Sequence, residues 1–178
     1  MTIAKGLTSA YIPLSGSIVS EKIWKVLRDG SEKYGAFGHG YTYSAHPIAA
    51  ACAIKTLEIV ERDNYVGKAE KQGKVLHQLL QTHFADHPLV GEIRGQGLIG
   101  AVELVANREK PEAFDPSLKI APRVAKRSME LGVITRALPA ADTVAFSPPF
   151  IVTDSELEIM VTTVRKAVDE IAKEIGRM

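Results

Sequence analysis

The chain reads as an α/β protein on three observations. Between Leu89 and Val105, apolar residues at Val90, Ile93, Leu98, Ile99, Val102, Leu104 and Val105 are broken by Gly95 and Gly97, which predicts two strands joined by a turn. Near the carboxyl end, Leu157, Met160, Val161, Val164, Val168, Ile171 and Ile175 fall on one helical stripe, and Thr153 with Glu156 forms a capping box. Strands and helices alternate after Pro88, predicting a compact α/β lobe, whereas the region before Asn64 holds helices and loops with too few strands to close a sheet of its own.

Taken in order, Met1-Thr2-Ile3-Ala4 reads as a buried strand entering a loop. A short amphipathic helix comes next, from Ser20, its N-cap, to Gly30, its stop, with Ile23, Trp24 and Leu27 as the apolar stripe. Residues 34–44 are rich in glycine, aromatics and hydroxyls, which suits a contact-bearing loop. Pro47 then opens a helix whose Ala49-Ala50-Ala51-Cys52-Ala53 run allows close backbone approach, and Ser44 is the expected cap before it. A long surface helix is predicted over 64–84, with Val66, Ala69, Leu76, Leu79 and Leu80 inward. After the strand pair, 107–117 reads as a loop, 118–131 as a helix ending at Gly132, and 133–136 and 143–147 as short strands.

At 178 residues the chain has the mass to bury a core. Its 22 basic and 21 acidic residues nearly cancel, so no strong field attracts nucleic acid or an anionic membrane. Cys52 is the only cysteine, which removes disulfide frameworks and cysteine-based zinc sites within one chain; a reducing cytoplasm is the expected location. No apolar run is long enough to cross a bilayer, and no metal site is expected.

Gly95-Gln96-Gly97-Leu98-Ile99-Gly100 matches the glycine spacing of a dinucleotide-binding turn, but Ala101-Val102-Glu103-Leu104-Val105 directly after it reads as strand, and no helix N-terminus is offered to a phosphate. A turn between antiparallel strands is the expectation. His77, His83 and His87 read as solvated. Thr42-Tyr43-Ser44, just before a proline-started helix, suits either an anion site or plain capping. Arg136 is an edge residue or a carboxylate binder. Lys5 is the only charged residue in the first twenty positions, and it is either an exposed loop lysine or a nucleophilic amine.

Together these segments resemble the class III aminotransferases that use pyridoxal 5′-phosphate, the ω-amino acid and amine:pyruvate transaminases. Ala4-Lys5-Gly6-Leu7-Thr8-Ser9-Ala10-Tyr11 is similar to the segment that carries the cofactor-binding lysine, which falls on Lys5. Gly40-Tyr41-Thr42-Tyr43-Ser44-Ala45-His46-Pro47 is similar to the segment whose threonine binds the cofactor phosphate of the neighbouring subunit, with Ala45 in place of the more usual glycine. Gly132-Val133-Ile134-Thr135-Arg136 is similar to the stretch holding a mobile arginine for the substrate carboxylate.

The resemblance implies a fold type I transferase, with 1–63 as part of the large domain, 64–88 as a connecting helix and 89–178 as the small α/β domain. It implies Lys5 as catalytic residue, Lys5 and Thr42 as cofactor-binding, and Arg136 and Tyr41 as substrate-binding. It also implies an amine or amino acid donor, a keto acid acceptor such as pyruvate, and a homodimer with shared active sites. The family's ring-pairing aspartate and glycine-serine phosphate loop precede the lysine segment, so the expectation is the carboxy-terminal part of a longer enzyme, inactive alone. A non-catalytic α/β binding or assembly module, or a pyridoxal-phosphate aminomutase or racemase, are the alternatives.

Overall fold

The computed structural model describes every residue except Pro111, Pro139 and Met178. The chain divides into two compact units, one over Met1–Asn64 and the other from Tyr65 onward.

In the first unit, β1 (Thr2–Ile3) pairs antiparallel with β2 (Gly16–Ser17), placing Thr2 opposite Ser17 and Ile3 opposite Gly16. The ladder pinches the base of a loop that holds a 3₁₀ turn, Lys5–Thr8. Met1 and Thr2 are exposed, so the expected buried strand is a surface ribbon.

Helix α1 (Glu21–Tyr34) is capped by Ser20, whose hydroxyl accepts from the Ile23 amide. It runs through Gly30 and stops at Gly35, with φ of 91°. One interior glycine costs a helix only about 1 kcal/mol, too little to end it when Ser31, Glu32 and Lys33 continue the pattern. None of its residues is buried, and Trp24 is half exposed.

Helix α2 (Pro47–Arg62) buries Ala49 and Ala53 and packs against the 3₁₀ turn. Its N-cap is His46, without a side-chain cap. The Ser44 hydroxyl instead accepts from the Tyr41 amide at 3.1 Å, correcting the expected cap: Ser44 closes the turn before the helix.

The second unit is a four-stranded antiparallel sheet in the order β3-β4-β6-β5, built from β3 (Val90–Gln96), β4 (Ile99–Leu104), β5 (Arg136–Leu138) and β6 (Thr143–Phe146). Helices α3 (Tyr65–Phe84) and α4 (Ile120–Glu130) pack on it, and α5 (Asp154–Glu174) packs on both helices. Val102, Leu104, Val144 and Phe146 point into a core that also takes Leu76, Leu80, Phe84, Val124, Leu157, Val161 and Val164. Val66, expected inward, is exposed; the buried stripe of α3 is Gly73, Leu76, Leu80 and Phe84.

Helix α4 begins at Ile120 because Pro116–Leu118 forms a separate 3₁₀ turn and Lys119 is left-handed, with φ of 49°. Its first turn is satisfied from across the fold, since the Asp142 carboxylate accepts from the Ala121 amide at 2.8 Å. It ends with Gly132 at φ of 97°, while the Val133 amide donates to the Ser128 carbonyl at 2.9 Å. That cap consumes residues up to Val133, so β5 starts only at Arg136. Helix α5 carries the full Thr153–Glu156 capping box.

The β3–β4 turn confirms a glycine hairpin, with Gln96 opposite Ile99 and Gly97 left-handed at φ of 54°. Helix α3 presses on it closely: a Cβ added at Gly73 would stand 2.5 Å from the Gly97 carbonyl carbon. The His77 ring meets the Gly97 carbonyl at 3.1 Å.

His87 is buried, which corrects its reading as solvated. Nδ1 accepts from the Leu89 amide at 3.1 Å, so the ring proton sits on Nε2 and is donated to Asp169 at 3.1 Å. Arg165 holds the same carboxylate at 2.8 Å and also donates to the His83 carbonyl. The ring thus staples the end of α3 to α5. Burial lowers its pKa below the ordinary value of 6.5, the Arg165 charge lowers it further, and Asp169 opposes both. Among the described residues, no helix is long and apolar enough to cross a membrane, and no group of three or more His, Cys, Asp or Glu could hold a metal ion.

Gly73→Ala should lower stability by about 2 kcal/mol, because the clash with the turn outweighs a helix-propensity gain of about 1 kcal/mol; a rise in the urea midpoint would contradict the close approach. For His87, a lowered folded pKa means that the unfolded chain binds more protons below 6.5. Stability is therefore full above that pH and falls as pH drops through the folded value. His87→Asn keeps an acceptor for the Leu89 amide and loses Asp169. It should cost about 1–3 kcal/mol at pH 7.5 and flatten the decline between pH 7 and 5.5, read from urea midpoints across that range.

Candidate functional site

Lys5 owes its position to its loop. The ladder of β1 and β2 closes the loop base, and the Leu7 amide donates to the Ala4 carbonyl at 3.2 Å and the Ser9 amide to the Gly6 carbonyl at 3.0 Å. Three residues other than glycine are left-handed here: Lys5, Ser9 and Ala10, with φ of 54°, 50° and 61°. Each such backbone costs about 1–2 kcal/mol, and it persists only where neighbouring bonds over-determine it.

Lys5 is exposed at the rim of a cleft of about 600 Å³, shared with Thr8, Ser15, Tyr41, Tyr43 and Ser44. The opposite wall is the turn from Tyr41 to Ala45. It is closed by the Ser44 amide on the Tyr41 carbonyl at 2.9 Å and by the Tyr41 amide on the Ser44 hydroxyl. Ala45 is left-handed at φ of 55°, a conformation that favours glycine. Just behind it lies the N-terminus of α2, with no side-chain cap on its first-turn amides. The His46 Nδ1 is buried without a hydrogen-bond partner among the described residues.

The structure brings Lys5 and Tyr41 to one cleft. Thr42, between two residues that line it, is exposed and does not line it. Arg136 belongs to the second unit, where it opens β5 beside a cleft of about 550 Å³ with apolar walls from Val133, Ile134, Phe146 and Met160. Cross-strand pairing places Arg94, Ala101, Ala145 and Arg136 in one row of the sheet. Arg94 is tied to Glu92 at 2.7 Å and to Glu103 at 2.5 Å. Arg136 has no carboxylate partner among the described residues and is exposed, so its guanidinium is the one open to a carboxylate ligand.

Sequence reasoning missed Thr8 and Ser15 in the lysine cleft. The polar, small-residue run after Lys5 was the available signal, but which of its hydroxyls turn inward depends on the left-handed turn.

A model of the class-III aminotransferase family matches residues 1–168, and the chain belongs to that family. It is 41% identical over 177 residues to a diaminobutyrate–2-oxoglutarate transaminase of Halomonas elongata, covering 99% of this chain and 38% of that protein. It is 39% identical over 173 residues to a putrescine–pyruvate aminotransferase of Pseudomonas aeruginosa, covering 97% and 36%. Among solved structures it is similar to the omega transaminase from Pseudomonas jessenii in complex with PMP, with a TM-score of 0.90 and 40% identity over 99% of this chain and 38% of that one. The chain thus spans a little over a third of the length of the curated relatives it matches. Its fold is that of the fold type I pyridoxal-phosphate transaminases.

Class III aminotransferases depend on pyridoxal 5′-phosphate, and the first unit fits part of that group. Its cleft offers a primary amine at Lys5 and hydroxyls at Ser15, Ser44, Tyr41 and Tyr43, which suit an aldehyde and a phosphate. None of the lining residues is a carboxylate that could pair with a pyridine nitrogen.

Proposed function

We propose that this chain is the lysine-bearing part of a transaminase that moves an amino group from an amine or ω-amino acid to a keto acid such as pyruvate. The observation that carries the reading is the placement of Lys5, at the head of a pinned, left-handed loop and opening on a cleft walled by the Tyr41–Ala45 turn.

Pyridoxal 5′-phosphate, when bound, supplies an electron sink beside the amine-bearing carbon of the substrate. Lys5 Nζ would hold the group covalently. When not so engaged, Lys5 Nζ would serve as the base for the proton on the amine-bearing carbon, at the distance its loop sets. Tyr41, which lines the same cleft, would contact the substrate. Thr42, exposed outside its own cleft, would donate its hydroxyl to the phosphate held by a neighbouring subunit in a homodimer. The exposed apolar residues Ile48, Ile54 and Leu57 of α2 support a role for this unit inside a larger assembly. Arg136 receives the carboxylate of the keto acid, a reading supported by its freedom from the acidic pairing that occupies Arg94. The protein acts in the cytoplasm.

Incubation of the chain with limiting pyridoxal 5′-phosphate, followed by borohydride reduction and peptide mapping, should place the pyridoxyl group on Lys5, and Lys5→Ala should abolish it. An adduct confined to other lysines would sink the assignment. In the assembled enzyme, Arg136→Ala should raise KM for pyruvate about tenfold or more while changing the use of an amine without a carboxylate less than threefold, as loss of one charge-assisted pair requires. Equal losses for both substrates would remove Arg136 from carboxylate binding.

A further inference from the structure

Thr8 is a polar residue with 1% of its surface exposed, and it stands between the strained parts of the lysine loop. Lys5 lies three residues before it; Ser9 and Ala10, both left-handed, lie directly after it. Its hydroxyl donates to the Ile12 carbonyl at 2.6 Å, closing a ring around those two residues. Its own carbonyl accepts from the Tyr11 amide at 3.1 Å and from the Cys52 thiol, on α2, at 3.4 Å. One residue therefore meets both ends of the strained segment and the helix that comes after the Tyr41–Ala45 turn.

We propose that Thr8 is a positioning residue for Lys5. Its hydroxyl locks Ser9 and Ala10 left-handed, and its carbonyl registers the 3₁₀ turn on α2, so that Lys5 Nζ is held at a set distance from the opposite cleft wall. Cys52 serves as the helix side of this clasp. The proposal rests on the reading of Lys5 as the cofactor-holding amine, but the clasp itself has a signature independent of that chemistry. With the hydroxyl bond lost, nothing on the side chain opposes relaxation of Ser9 and Ala10 to ordinary backbone, and the 3₁₀ turn relaxes with them.

The test uses the chain with Thr8→Val, Thr8→Ser and Cys52→Ala, with two readouts. One is amide hydrogen exchange at Tyr11, whose N–H is held by the Thr8 carbonyl. The other is the rate of borohydride-trapped attachment of pyridoxal 5′-phosphate to Lys5. Thr8→Val, which keeps the shape and removes the donor, should speed Tyr11 exchange and slow attachment by about tenfold each, the worth of one buried hydrogen bond. Thr8→Ser should restore both to within about threefold. Cys52→Ala, which leaves the loop's own bonds intact, should shift attachment more than exchange. Unchanged exchange at Tyr11 in Thr8→Val overturns the clasp whatever happens at Lys5. Faster exchange with unchanged attachment overturns the positioning of Lys5. If the parent chain never labels Lys5, the reading of that lysine falls, and the clasp is then decided by exchange alone. Should Thr8→Val fail to fold, Cys52→Ala carries the test, and wild-type attachment by it overturns the coupling to α2.

Discussion

A lysine held with positive φ, succeeded within five residues by two more left-handed residues that are not glycine, is a conformation that the local sequence disfavours. It survives because short bonds surround it. The two-residue ladder at the base, the backbone turns, and the Thr8 hydroxyl on Ile12 each hold one end of the loop. Helix α2, whose small residues Ala49 and Ala53 are buried, packs against the turn, and Cys52 on it donates to the Thr8 carbonyl. The lysine cleft and the reach of its amine both depend on this constraint.

The second unit obeys a different economy. Its core is continuous, its strand β4 alternates buried and open positions, and its helices carry caps supplied by Asp142, Thr153 and Gly132. His87, a polar residue taken inside, is paired with the Leu89 amide and Asp169. On the open face of the sheet, two arginines occupy one cross-strand row and have opposite fates. Arg94 is neutralised by two glutamates, whereas Arg136 is left with its charge uncommitted among the described residues. The contrast, rather than the presence of an arginine in a strand, is what singles out Arg136.

Much of the fold was legible in the sequence. The stripe of α5 and its capping box, the proline start of α2 and the glycine hairpin of β3 and β4 stand where local patterns put them, because each is decided by a few adjacent residues. The misplaced features share a cause: contacts that the local pattern does not reveal. His87 looked solvated because its partner lies 82 residues away. Ser44 looked like a helix cap because the competing Tyr41 amide was invisible as a partner. Helix α4 looked longer because its first turn is satisfied by Asp142, 21 residues downstream of Ala121.

For the site, motif resemblance is what proposes Lys5, Tyr41, Thr42 and Arg136, since residue type and order carry the chemistry. The sequence by itself thus determined the family, the element types and which side chains are chemically able to act. Tertiary structure alone decided that Lys5 and Tyr41 share a cleft, that Thr42 stays outside its lining, and that Thr8 turns inward to tie the loop. Those outcomes depend on left-handed backbone and on hydrogen bonds between distant segments, and both are settled by the sum of packing around a residue rather than by its neighbours in the chain.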